Sequence, residues 1–157
     1  MQIVIGQPAP DFTLYSSERL KVSLSDFTGK NVLILFFPQA FTSVCTAELC
    51  NVRDDISRYK NAQADVLAIS VDSTATLNKF KELEGYNFTL LSDFNKDVSR
   101  LYGSIYETWF SDMKGVSKRS AFIVDKKGIV RYAEVLDDAG EVPDFEVINQ
   151  TLTSLNS

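Results

Sequence analysis

The run Asn31 to Phe37, NVLILFF, constrains this chain more than any other stretch. After its first residue it is apolar throughout, with β-branched and aromatic side chains. A strand points successive side chains to opposite faces, so both faces of this one must be covered. A sheet with helices on both sides meets that demand. Asp65 to Val71, DVLAISV, reads as the neighbouring strand, and a helical stretch from Ser43 to Asn61 lies between the two. A second helix runs from Thr74 to Glu84 and closes at Gly85, giving a β-α-β pattern. Ala121 to Val124 and Ile129 to Ala133 are joined by Asp125-Lys126-Lys127-Gly128, with glycine where the turn wants a positive φ, so they form an antiparallel hairpin. A last helix, Phe145 to Leu155, starts after Pro143 and Asp144. The expected class is therefore α/β, a mixed central sheet flanked by helices. No repeat, linker or low-complexity tract divides the 157 residues, so one domain is expected over 1–157.

One segment resists a single reading. Gly103 to Lys118, GSIYETWFSDMKGVSK, is long and carries Tyr106, Trp109 and Phe110. Its aromatics either pack back on the core or offer a surface to a second subunit, leaving monomer and homodimer both open.

Charge and composition exclude several partners. With 16 basic and 21 acidic residues the net charge is −5, which argues against nucleic acid or an anionic membrane surface. The first residues, MQIVIGQPAPDF, lack the pattern of an export signal, and no apolar run approaches the roughly 20 residues of a membrane span, so a cytoplasmic location is expected. The chain has two cysteines and no histidine. Neither Cys-His nor Ser-His catalysis can be built, and two thiols without imidazole make a poor zinc site. In a reducing compartment the two thiols point to redox chemistry rather than to a structural staple.

Both thiols fall in FFPQAFTSVCTAELC, Phe36 to Cys50. Pro38 cannot continue a central strand, so the chain leaves the sheet there, and Thr42 reads as the N-cap of the following helix. Val44 and Cys45 then lie in the first turn, where amides have no intrahelical partner and the dipole is positive, which stabilises a thiolate. Cys45 also heads the stripe Cys45, Leu49, Val52, Ile56 and Tyr59, the spacing of a core-facing helix side. A buried inert thiol would follow from that stripe alone. Its place beyond the carboxyl end of a strand favours a site instead. Cys50 falls with Thr46, Arg53, Ser57 and Lys60 on a polar stripe.

The pattern Pro38-x-x-x-Thr42-x-x-Cys45 resembles the active-site signature of the peroxiredoxins, thiol peroxidases with a thioredoxin-like fold. The likeness extends through GQPAPDFTL, LSDFTGKNVLILFF, LLSDFNKDVSRLYG and RSAFIVDKKGIVRYAEV, in order along nearly the whole chain. The Cys-x-x-x-x-Cys spacing is similar to that of the Q-type, or bacterioferritin comigratory, subfamily, while FTSVCTAELC also resembles one-cysteine members of a related bacterial branch.

The resemblance implies that Cys45 is the peroxidatic nucleophile and passes through a sulfenic acid. Thr42 would orient the peroxide, Pro38 would shield the thiolate, and Arg119 would be the cation beside it. Glu48 could orient Arg119, although an unpaired carboxylate there would oppose the thiolate. No metal or organic cofactor is implied. The electron donor would be thioredoxin, with glutathione or a glutaredoxin as alternatives. Cys50 is expected to resolve the sulfenic acid as an intramolecular disulfide. Residues five apart in an intact helix have Cα atoms about 8.6 Å apart, beyond the reach of a disulfide, so the first turns must unwind. A one-cysteine peroxidase with Cys50 as bystander and a redox sensor that does not turn over remain the alternatives. A thiol–disulfide oxidoreductase is disfavoured because the chain has no Cys-x-x-Cys pair.

Overall fold

A computed structural model describes residues 3–156; Met1, Gln2 and Ser157, which the one-domain expectation included, lie outside the described residues. In chain order the elements are β1 (Thr13–Ser16), β2 (Lys21–Ser23), β3 (Asn31–Phe36), α1 (Ser43–Asp54), α2 (Ile56–Asn61), β4 (Ala64–Ser70), α3 (Thr74–Glu84), β5 (Thr89–Ser92), α4 (Asp97–Leu101), β6 (Ile105–Tyr106), β7 (Val116–Ser117), β8 (Ser120–Val124), β9 (Val130–Val135) and α5 (Phe145–Leu155). Seven strands form one mixed sheet in the order β2-β1-β5-β4-β3-β8-β9, with β3 parallel to β4 and antiparallel to β8.

The apolar run behaves as its alternation requires. Leu33, Leu35 and Phe37 enter a core with Leu49 and Val52 of α1, Leu77 and Phe80 of α3, and Ile148 and Leu152 of α5. Val32, Ile34 and Phe36 enter a second core on the opposite face with Phe12, Val98, Tyr102 and Phe122. Fully burying a side chain of this size stabilises the fold by about 1.5–3 kcal/mol. No helix among the described residues is long and apolar enough to cross a membrane.

Local signals set several ends. Ser73 caps α3 by accepting from the Thr76 amide at 3.2 Å, and Gly85 closes it at φ 64°. Asp144 caps α5 by accepting from the Val147 amide at 3.2 Å. The hairpin of β8 and β9 turns through Gly128 at φ 81°.

The single helix expected over Ser43 to Asn61 is corrected to two. α1 ends at Asp54, and Asp55, at φ −107° and ψ 17°, separates it from α2. Adjacent carboxylates at a helix C-terminus oppose its dipole, which favours a break at that point. The segment 103–118 folds as a two-stranded ribbon of β6 and β7. Tyr106 packs inward and donates to the Leu136 carbonyl at 3.0 Å, and Trp109 stacks beside it, whereas Phe110 stays 70% exposed.

Candidate active site

The register of β3 against β8 brings distant residues to one edge. Phe36 pairs with Ser120, so Arg119, just ahead of β8, stands beside the point where the chain leaves β3. Pro38 is buried at that exit. The following turn is pinned to the end of β4: the Ala40 amide donates to Asp72 Oδ2 at 2.8 Å, and the same oxygen accepts from Ser70 Oγ at 2.7 Å. Phe41 then adopts φ 68°, a left-handed conformation that costs a residue with a Cβ about 1–2 kcal/mol.

Thr42 occupies the N-cap position but does not cap with its side chain, which corrects that expectation. Its hydroxyl turns back and donates to the Gln39 carbonyl at 2.8 Å. Its carbonyl accepts from the Thr46 amide at 2.9 Å and from Thr46 Oγ1 at 2.7 Å. Ser43, Val44 and Cys45 thus precede the first intrahelical amide bond. Their amides make up the positive end of α1.

Cys45 is fully buried, and Arg119 and Glu48 are each 1% exposed. Arg119 Nη2 donates to Cys45 Sγ at 3.1 Å, Nη1 to Glu48 Oε1 at 2.6 Å, and Nε to the Ala139 carbonyl at 3.1 Å. The guanidinium is therefore held on every nitrogen. Burial works against its charge, yet the negative partners Glu48 and Cys45 outweigh that and hold it above its ordinary pKa. Glu48 is pushed up to about 7 by burial, although Arg119 pulls the other way. Its second oxygen, Oε2, is buried without a hydrogen bond, which accounts for the burial penalty. Two acidic groups share one cation here.

Cys50 has a different setting. On its polar stripe, whose other members are half-buried or exposed, Cys50 is half-buried and packs one side against the core. Its thiol donates to Glu84 Oε2 at 3.5 Å and lies 3.8 Å from the Tyr86 hydroxyl. Both cysteines are free thiols, and the helix that carries them is continuous from Ser43 to Asp54.

The structure thus brings Cys45, Arg119 and Glu48 into contact and fixes Thr42 and Pro38 in the same turn. Cys50 is kept apart on the same helix. Sequence reasoning missed Asp72, Glu84 and Tyr86. Glu84 meets Cys50 across 34 residues, and only the approach of α3 to α1 connects them. Glu48 carried a visible signal, a carboxylate one turn beyond the thiol on its buried side.

Likeness to known proteins extends this picture. The sequence model of the AhpC/TSA family matches residues 5–133. Alkyl hydroperoxide reductase E of Mycobacterium tuberculosis is 38% identical over 156 residues, covering 98% of each chain. Peroxiredoxin Bcp of Escherichia coli K12 is 38% identical over 135 residues, 85% of each chain. The mitochondrial 2-cys peroxiredoxin of Plasmodium falciparum superposes with a TM-score of 0.82 at 30% identity, over 98% of this chain and 94% of that one.

Proposed function

This chain belongs to the AhpC/TSA family of thiol-dependent peroxidases, and from that premise we propose that it reduces hydrogen peroxide and organic hydroperoxides through Cys45. The observation that carries the assignment of Cys45 is the 3.1 Å contact from the buried Arg119 guanidinium to its sulfur. In a site shut off from water a fixed cation acts on a neighbouring charge far more strongly than at the surface.

The Cys45 thiolate attacks the terminal peroxide oxygen, a sulfur–oxygen bond forms, and the oxygen–oxygen bond breaks. The leaving oxygen takes a proton and departs as water or an alcohol, and Cys45 is left as a sulfenic acid. Charge builds on the peroxide oxygens during this step. Arg119 and the first-turn amides of Val44 and Cys45 stabilise it without rearranging, which is electrostatic preorganisation, while the Thr42 hydroxyl, whose own proton goes to the Gln39 carbonyl, orients the peroxide by accepting from it. Pro38 keeps water from the thiolate. Glu48 orients Arg119 through the 2.6 Å ion pair.

Cys50 then resolves the sulfenic acid as a disulfide within the chain. In the intact α1 the two Cα atoms are about 8.6 Å apart by helix geometry, so the first turns unwind for the bond to form. Thioredoxin or a similar dithiol restores both thiols. The protein works in the cytoplasm, where such donors keep thiols reduced, as a one-domain monomer or homodimer.

Sustained peroxide consumption in the presence of a dithiol reductant tests this reading, with turnover abolished in Cys45→Ser. Consumption of a single equivalent per chain would instead identify a sensor that does not turn over.

A further inference from the structure

The groups around Cys50 bear on the second half of this cycle. Glu84 and Tyr86, from the end of α3 and the residues after it, touch the sulfur, and Arg53 of its own helix faces the same corner. Arg53 is a cation and cannot accept a proton. The Tyr86 hydroxyl is held well above its ordinary pKa, first by burial and then by its contacts with Cys50 and Glu84, so it remains a phenol. Among the described residues, the Glu84 carboxylate is left as the base in contact with the thiol.

The same corner fixes which end of α1 moves. Arg53 Nη1 donates to the Glu84 carbonyl, and Asn87 Nδ2 donates to the Arg53 carbonyl at 3.2 Å, tying the second half of the helix to the end of α3. The first turn lacks a side-chain cap and follows the left-handed Phe41. In the proposed cycle its hold on Arg119 is the contact of that guanidinium with a Cys45 thiolate. A sulfenic acid is neutral, so oxidation itself weakens that hold, and the first turn opens while Cys50 stays against Glu84.

Resting on the reading of Cys50 as the resolving thiol, we infer that Glu84 is a catalytic residue of the resolution step, the general base that takes the proton of Cys50 as its sulfur attacks Cys45. The Cys50 sulfur–hydrogen bond breaks toward Glu84 Oε2, and the new thiolate attacks the Cys45 sulfur. The sulfur–sulfur bond forms as the Cys45 sulfur–oxygen bond breaks, and the departing hydroxide recovers the proton from Glu84 as water. The sulfenic sulfur is reduced and the Cys50 sulfur oxidised, so the step needs no other reagent.

Rapid quenching after one equivalent of hydrogen peroxide, followed by mass spectrometry, separates sulfenic acid formation from disulfide formation in wild type and Glu84→Gln. Sulfenic acid formation at Cys45 serves as the internal check on folding. Disulfide formation in Glu84→Gln slows by about 100-fold or more at pH 7. It then rises with pH toward wild type, as hydroxide from solvent takes over the removal of the proton. Tyr86→Phe keeps the wild-type pH profile. A wild-type rate and profile in Glu84→Gln would overturn the assignment, as would a slowing that is the same at every pH, which marks a purely structural contact. If wild type itself forms no Cys45–Cys50 disulfide, the reading of Cys50 fails and the role of Glu84 fails with it.

Discussion

Two sulfurs five residues apart on one helix meet opposite partners: Cys45 is fully buried against the guanidinium of Arg119, and Cys50 is half-buried and donates to the carboxylate of Glu84. The proposed cycle asks two tasks of the same side chain, and the surroundings suit each. A cation stabilises a sulfur that must attack as an anion, whereas a carboxylate suits a thiol that gives up its proton only when its target arrives. Neighbours fix the difference, since both cysteines belong to one continuous α-helix. The cation also has a competitor, because Glu48 draws on the same Arg119 that serves Cys45.

Removing the cation should cost Cys45 the most. Arg119→Ala is expected to slow single-turnover oxidation of Cys45 by about 100-fold or more, the usual cost of losing a preorganised charge stabiliser. Stability should fall by less than the roughly 3–5 kcal/mol of a stranded buried charge, since Glu48 is already pushed up to about 7 by burial and takes a proton instead. Stopped-flow oxidation and urea unfolding measure the two effects. A rate within a fewfold of wild type would remove Arg119 from the chemistry.

Glu48→Gln ends the competition for Arg119. Without the second anion, Arg119 serves Cys45 alone, so the acid limb of the oxidation rate should move to lower pH. Stability gives a second readout. Because burial raises the native pKa of Glu48 from 4.5 to about 7, the folded state binds more protons than the unfolded one between those values, and stability falls as pH rises through that window. The effect is about 3 kcal/mol at 1.36 kcal/mol per pKa unit. Glu48→Gln should flatten it, as urea midpoints at pH 5 and pH 8 would reveal. A slope unchanged in the variant would mean that Glu48 is not the titrating group.

The smallest expected effect lies at the turn that carries the site. Asp72→Ala frees the Ala40 amide and lets the left-handed Phe41 relax, at a cost of about 1 kcal/mol for the lost hydrogen bond. Oxidation of Cys45 should slow by about 3- to 10-fold through misaimed first-turn amides, with faster hydrogen exchange at Ala40. Faster exchange at an unaltered oxidation rate would make the clamp structural only.

Much of this was legible in the sequence. NVLILFF announced a strand covered on both faces, and Leu33 and Val32 do enter opposite cores. Pro38, Thr42, Cys45 and Arg119 formed a visible pattern, and the structure places Arg119 against Cys45. The strands β1, β2 and β5 were not legible, because each has only three or four residues and too little periodicity to register. The break at Asp55 was hidden by an apolar stripe that runs through it into α2. Glu84 was beyond reach because its meeting with Cys50 comes from how two helices pack. The unusual use of the Thr42 hydroxyl was equally hidden, since it depends on the backbone conformation of Phe41.

The division between the two sulfurs is tested most directly by the order in which they oxidise. Wild-type protein mixed with one equivalent of hydrogen peroxide, quenched at successive times with a sulfenic acid trap and mapped by peptide mass spectrometry, should carry the trapped adduct on Cys45 alone at the earliest times. A disulfide linking Cys45 to Cys50 within one chain should then replace it, with a loss of helical circular dichroism as the first turns of α1 open. An adduct on Cys50 at the earliest times would contradict the account, and so would a Cys45 sulfenic acid that persists while Cys50→Ser turns over at the wild-type rate.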